Sequence, residues 1–259
     1  MPDIHPSAVI GSNVELDASV VVGPHCVIDD GAVLGAGCVL ESSVRIGGTV
    51  RMGRGNRVGH GAALGGWPQD TKFSEAASRP LLIGDDNTFR EGVTVNRGTY
   101  HEQGTVLGSH NYFMVNAHVG HDCVVGDHNI FANGACLGGH VVLEDRAFLS
   151  SFVAVHQFCR VASYVMAGGL SAITTDVPPY VMVNGQRAKI VGLNTVGLRR
   201  AGFDAAQRLA IKRAYQLIYR SGLPRASALA QLREAQAGPE TEAILRFIEA
   251  GTRSLIGHV

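Results

Sequence analysis

Apolar residues recur every six positions along most of this chain. The first run is Ile4, Ile10, Leu16, Val22, Ile28, Leu34, Leu40, Ile46, Met52, Val58 and Leu64. The step returns as Ile83, Phe89 and Val95, and again from Leu107 through Phe113, Val119, Val125, Phe131, Leu137, Leu143, Leu149, Val155, Val161 and Ala167 to Ile173. All 26 positions are apolar in a chain that is 46% apolar, an outcome chance would give at a frequency on the order of 10⁻⁹. The next residue is usually Gly or acidic (Gly11, Asp17, Gly23, Asp29, Gly35, Glu41). The fifth of each hexad is small or β-branched (Ala8, Val14, Val20, Cys26, Ala32, Cys38). A hexapeptide period predicts a parallel β-helix, with one short strand and one corner per hexad and about 18 residues per three-sided coil. At a strand spacing of about 4.8 Å, roughly nine coils make a prism on the order of 45 Å tall.

The period breaks twice. Leu64 to Ile83 has no hexad pattern between its ends, and predicts a loop pushed out of a corner that carries Trp67, Gln69, Asp70 and Lys72. Gly98 to Gly104 keeps the phase but puts His101 where an apolar residue belongs. Loops on a rigid scaffold are common places for binding groups. The strand series is expected to end at Thr174–Pro179, where two prolines cannot donate to a ladder. A short cap helix is expected over Asn194 to Arg200. Asp204 with Gln207 makes a capping box for a helix that Gly222 and Pro224 break, and further helices are expected over 226–236 and 239–253. The organisation read from these signals is a mainly β chain. A parallel β-helix covers 1–187, with loops near 65–80 and 98–105, and a C-terminal helical domain covers 188–259.

Charge narrows the function classes. Lys+Arg and Asp+Glu are 22 each, so no electrostatic case exists for nucleic acid or an anionic membrane. The N-terminus lacks a signal-peptide pattern, and no apolar run approaches the roughly 18 residues of a transmembrane span. Five cysteines without a CxxC pair favour free thiols in a reducing compartment.

Chemistry concentrates where the repeat departs from its own rule. Asn116-Ala-His-Val-Gly-His-Asp-Cys-Val124 holds His118, His121 and Asp122 in five residues. Reading the stack in columns puts Gly139 one coil above His121, Gln157 above Gly139, and His140 above Asp122. His118, His121, His140 and His156 then crowd within about two coils, ~10 Å of height. A lone His belongs on a solvated corner, the reading given to His5, His25, His60, His110 and His128; a cluster calls for chemistry. Three chemistries fit: a general base near its unperturbed pKa, a metal site, or Cys123 as an activated thiol. Cys123 occupies the core-side fifth slot, which argues against the last. Adjacent residues on a strand point to opposite faces, so a direct His121–Asp122 pair requires a corner. Gly139 reads equally as an ordinary repeat glycine or as a backbone donor for an oxyanion.

The strings NAHVGHDC, GGH at 138–140, AVHQFCR at 154–160, DVPPYV at 176–181, LIYRSG at 217–222, WPQDTKF and GLNTVGLRRAGF at 192–203 resemble the UDP-N-acetylglucosamine O-acyltransferase family. That family belongs to the hexapeptide acyltransferases, whose coils wind left-handed, against the usual crossover rule. The resemblance runs nearly end to end. It implies a cytoplasmic homotrimer that needs no metal or cofactor and binds no nucleic acid. It implies transfer of a 3-hydroxyacyl chain from acyl carrier protein to the 3-hydroxyl of UDP-N-acetylglucosamine, the first step of lipid A synthesis. His121 matches the general base and Gly139 the oxyanion donor, with Asp122 beside them. Gln69, Asp70, Lys72, His118, His140, His156 and Gln157 match substrate-lining positions, and Asn194 and Arg200 match nucleotide contacts. Gly169 matches the chain-length position, where glycine implies a long acyl groove. Two departures bear on uridine recognition: Val196 stands where members carry an acid, and Ala201 replaces a second basic residue.

The competing readings differ in chemistry. The N-acyltransferase of the same pathway carries an extra N-terminal domain, whereas the repeats here begin at Ile4; acylation of a 3-amino sugar nucleotide stays open. A γ-carbonic-anhydrase-like metal hydratase is also a trimeric β-helix, but its ligand spacing differs from that of His118 and His121. A non-catalytic module leaves the out-of-pattern histidines unexplained.

Overall fold

The computed structural model describes residues 1–236 and 238–259. Strands of two to five residues fall in turn on three sheets of 11, 9 and 8 strands. Asp3–Ile4 lies on the first, Val9–Ile10 on the second and Glu15–Leu16 on the third; Val21–Val22 returns to the first and pairs in parallel with Asp3–Ile4. In each two-residue strand the second, apolar residue points inward, so Val22, Ile28, Leu34 and Leu40 are buried. Small fifth-slot residues such as Cys26, Ala32 and Cys38 fill the inside of the corners and are buried too. Phe89, Phe113 and Phe131 stack through successive coils with ring centroids 4.8 and 4.6 Å apart. Phe113→Ala is expected to cost about 3–5 kcal/mol, because rings above and below prevent the site from collapsing. A shift of the urea midpoint at unchanged slope would report that loss.

The breaks in the period are insertions that leave the ladder in register. Val58 pairs with Phe89 and Phe89 with Phe113, separations of 31 and 24 where Ile4 and Val22 are 18 apart. Thus 13 extra residues leave one corner and 6 leave another. The first insertion is the expected loop, with a single 3₁₀ turn at Glu75–Ala77. The second differs from expectation. The hexad containing His101 does not keep its place in the stack; it is extruded, His101 is exposed, and Thr105–Leu107 pairs directly with Leu81–Ile83. An imidazole at the inward slot would lie among apolar side chains without partners, which burial penalises.

One corner column carries asparagine at the fifth slot. Asn56, Asn87, Asn111 and Asn129 are buried. Asn56 Oδ1 accepts from the backbone N–H and Nδ2 of Asn87 at 2.9 and 3.0 Å, and Asn87 Oδ1 does the same for Asn111. The amide ladder satisfies backbone groups that an apolar corner would leave unpaired.

The two prolines do not end the stack. Val177 bridges to Val161, and Val181–Asn184 adds one more parallel strand beside Met166–Ala167. Pro178 and Pro179 lie in the connecting segment, where a missing N–H removes no ladder bond. Lys189–Leu193 then turns back antiparallel and covers the sheet edge. Among the described residues four helices follow: α1 Thr195–Arg200, α2 Ala205–Arg220, α3 Arg225–Glu234 and α4 Pro239–Glu249. The Asp204–Gln207 capping box is complete. Tyr215 of α2 donates to Pro179 O at 2.7 Å, and Arg160 donates to Asp176 and to Phe247 O of α4. These bonds hold the helices on the last coil.

Candidate active site

His121 and Asp122 form a corner between the strands His118–Val119 and Val124–Val125. Asp122 adopts φ +58°, a left-handed conformation that Asp tolerates better than most residues. The corner removes the strand alternation that would have separated the two side chains. His121 Nδ1 and Asp122 Oδ2 are 2.7 Å apart. An ionised carboxylate only accepts, so Nδ1 carries the proton and Nε2 presents its lone pair.

The other carboxylate oxygen is an anchor. Asp122 Oδ1 accepts three backbone N–H bonds, from Thr99, Tyr100 and His101, at 2.9, 3.0 and 2.8 Å. These donors belong to the extruded hexad, so the insertion is fastened to the residue that orients His121. The Asp122 side chain is 0% exposed. Burial alone pushes its carboxyl up, but the His121 bond and the three N–H groups outweigh burial and hold it below the usual carboxylate range.

One coil up, His140 places Nε2 3.9 Å from Asp122 Oδ2. Its ring meets His121 edge-on at 5.1 Å and stacks on Phe158 at 4.5 Å; burial lowers its pKa. Gly139 lies directly against His121. A Cβ there would come 2.7 Å from Nε2, so only glycine lets the imidazole sit beside that backbone. The N–H of Gly139 has no hydrogen-bond partner among the described residues, while its neighbours Gly138 and His140 donate to Val155 O and His121 O. A lone-pair acceptor and a residue with an unpartnered backbone donor therefore lie side by side, the two kinds of group that proton removal and anion stabilisation use.

This spot opens into a cleft of about 600 Å³, lined by Gln69, Asp70, Thr71, Lys72, Tyr100, His121, His140, Gln157 and Phe158. Six of these are expected site residues, brought together by the first insertion and three coil corners. Asp122 and Gly139 adjoin it through His121, and the structure does not bring His118, His156, Asn194, Arg200 or Gly169 into the same cleft. His118 sits on the sheet face, half-buried, with Nδ1 2.7 Å from Thr94 Oγ1, and burial lowers its pKa. His156 is exposed and turns Nδ1 toward Gln157 O. Asn194 caps α1: its Oδ1 accepts from Gly197 N–H and its Nδ2 donates to Tyr164 O. Arg200, at the end of α1, and Val196 are exposed, and Ala201 is the C-cap. Gly169 lies on an exposed corner where a Cβ would meet only Ser151 O, at 3.5 Å. Sequence reasoning missed Tyr100 and Phe158. Tyr100 lies in the insertion whose hexad was read as in phase. Phe158 carries a visible signal, an aromatic next to Gln157 in the column above His140.

His121, Asp122 and His140 are the described residues whose donor atoms could hold a metal ion, lying within 4.8 Å of one another. The carboxylate is already engaged by His121 and three N–H groups, the arrangement of a hydrogen-bonded orienting acid rather than an open ligand set. Cys123 is buried, with Sγ donating to Gly138 O, and burial pushes its thiol up to about 12, so it is neither accessible nor ionised.

The hexapeptide coils match the pattern described as bacterial transferase hexapeptide (six repeats) over residues 7–42 and 104–139. The C-terminal part is more specific: residues 176–256 match the family described as Udp N-acetylglucosamine O-acyltransferase, domain 2. Over 99% of its length the chain is 45% identical to the whole acyl-[acyl-carrier-protein]–UDP-N-acetylglucosamine O-acyltransferase of Burkholderia lata, and over 98% it is 42% identical to that of Herminiimonas arsenicoxydans, 98% of which is covered. The solved UDP-N-acetylglucosamine acyltransferase of Francisella novicida superposes with a TM-score of 0.95 at 36% identity, covering 98% of this chain and 94% of that one. That of Campylobacter jejuni gives 0.94 at 32%, covering 99% and 100%. The chain belongs to the UDP-N-acetylglucosamine O-acyltransferase family. No helix among the described residues is long and apolar enough to cross a membrane.

Proposed function

We propose that this chain transfers a 3-hydroxyacyl group from acyl carrier protein to the 3-hydroxyl of UDP-N-acetylglucosamine, the opening step of lipid A synthesis, in the cytoplasm. The observation that carries the reading is the contact of His121 Nε2 with the bare backbone of Gly139. Nε2 takes the sugar hydroxyl proton as that oxygen attacks the thioester carbonyl. The carbonyl oxygen gains charge, which the Gly139 N–H stabilises. Collapse of the tetrahedral intermediate breaks the C–S bond, and the imidazolium returns its proton to the leaving thiolate. The Asp122 carboxylate keeps the tautomer and supports the imidazolium while it exists. Asp70 and Lys72 on the loop, with Gln69, His140 and Gln157, line the sugar-nucleotide side, where the ammonium of Lys72 suits a diphosphate.

His118, His156, Asn194, Arg200 and Gly169 lie outside the cleft of a single chain. We assign them to a site completed between the subunits of a homotrimer, with Asn194 and Arg200 at the nucleotide and Gly169 at the end of the acyl groove. Transfer from 3-hydroxyacyl carrier protein to UDP-N-acetylglucosamine by the purified protein tests the function, and absence of the ester would remove it. Supplying a 3-amino sugar nucleotide in parallel distinguishes an oxygen acceptor from a nitrogen one. The open corner at Gly169 predicts a preference for chains nearer about fourteen carbons than about ten, with Gly169→Met shifting it shorter, since a filled pocket rejects surplus methylenes. A carrier-thioester length series with its maximum at short chains in the wild type would contradict this.

A further inference from the structure

The two insertions meet across the cleft mouth. Tyr100 in the second donates its hydroxyl to Asp70 Oδ2 in the first at 2.8 Å. The other oxygen, Oδ1, accepts the Lys72 backbone N–H at 2.8 Å. Tyr100 lines the cleft, with its ring centroid 6.3 Å from that of His121 and 5.7 Å from that of His140. Its own backbone N–H is held by Asp122 Oδ1. The phenol is therefore fixed from behind by the carboxylate that orients His121, and from the front it fixes a carboxylate on the opposite wall. Tyr100 is 56% exposed, so it is not needed as core. Among the described residues no other side chain bonds Asp70, whose loop carries no strand between Gly66 and Leu81.

We propose that Tyr100 is a positioning residue for the acceptor: its hydroxyl holds the Asp70 carboxylate, and with it the loop bearing Gln69 and Lys72, in the orientation that receives the sugar nucleotide. This rests on the acyltransferase reading above. Without the tether, the loop would have to be ordered by the substrate at the moment of binding, which weakens binding and leaves the bound complex unchanged. The direction of the Asp70 titration agrees. The Lys72 N–H first and the Tyr100 hydroxyl second hold its carboxyl below the usual range, with the Lys72 ammonium and the His121 ring facing it. The Tyr100 hydroxyl is raised in turn by the bond to Asp70.

Tyr100→Phe keeps the ring and removes the bond. The KM for UDP-N-acetylglucosamine should rise roughly three- to tenfold, the range of an ordinary net hydrogen bond, since solvent at this part-exposed site screens the charge of Asp70. The kcat and the KM for the acyl carrier protein should stay within about twofold of wild type, and the thermal midpoint should not move. In an Asp70→Asn background the same substitution should change the nucleotide KM much less. Carboxyl-carbon NMR of the unliganded protein should show the Asp70 midpoint rising in Tyr100→Phe. An unchanged nucleotide KM, an equal effect in both backgrounds or an unmoved Asp70 midpoint would each overturn the tether. If the wild-type chain transfers nothing, the acyltransferase reading falls, and the Asp70 titration still decides whether Tyr100 holds the carboxylate.

Discussion

His121→Ala is expected to lower kcat by about 10²–10⁴-fold, the span that a positioned general base contributes. The KM for either substrate should change little, because Nε2 acts on the proton as it leaves rather than on the bound ground state. The imidazole side chain is only 12% exposed, yet it lines a cleft and is not packed in the core, so folding should survive. Removing it also leaves the Asp122 Oδ1 anchor of the 99–101 segment intact. Steady-state kinetics beside a thermal melt will check this; full turnover by a folded His121→Ala protein would end the base assignment.

Asp122→Asn should be as damaging to activity, by about 10²-fold or more, for a reason that geometry makes specific. If the amide keeps its oxygen toward the three N–H donors, its NH₂ faces His121 Nδ1. That nitrogen must then accept, the ring proton moves to Nε2, and the base has nothing left to accept with. Stability should respond in acid. The folded-state pKa of Asp122 is lowered, so its contribution is complete above the unfolded carboxyl pKa of about 4 and fades as pH falls through the folded value. Relative to the Asn variant, the wild type should therefore lose denaturant stability more steeply below about pH 4. Parallel slopes in the two proteins would show that Asp122 is not held in its charged form. Asp122→Ala should lose activity and stability together, since it orphans three backbone donors.

The scaffold was legible because every inward side chain answers to one rule at one spacing, and because Gly, Asp and Pro mark the corners and ends. Four features were not. Asn56, Asn87, Asn111 and Asn129 form one column, but the insertions space them by 31, 24 and 18 residues, so no fixed period displays them. His101 keeps the hexad phase in the sequence and leaves the stack in the structure; phase counts positions and does not weigh the desolvation of an imidazole. The His121–Asp122 pair depends on a corner with positive φ at a residue that is not glycine. The column of Gly139 over His121 was legible, because it needs only the coil length. The contact of Tyr100 with Asp70 was not, since it joins two segments of no regular structure.

The insertions of 13 and 6 residues leave and rejoin the prism without displacing a ladder partner: Leu81–Ile83 sits in register between Val50–Met52 and Thr105–Leu107. One wall of the cleft, with Gln69, Asp70, Lys72 and Tyr100, is therefore written in stretches of sequence that the stack does not need, while His121, His140 and Gln157 stand on the coils themselves. The hexads behave as interchangeable courses of a wall, and the two loops as fittings hung on it, the first fastened at Trp67 O by Asn96 and the second at the Asp122 carboxylate. Residues 67–80 and 98–104 can therefore vary in sequence while the His121–Asp122 corner stays where the coils put it.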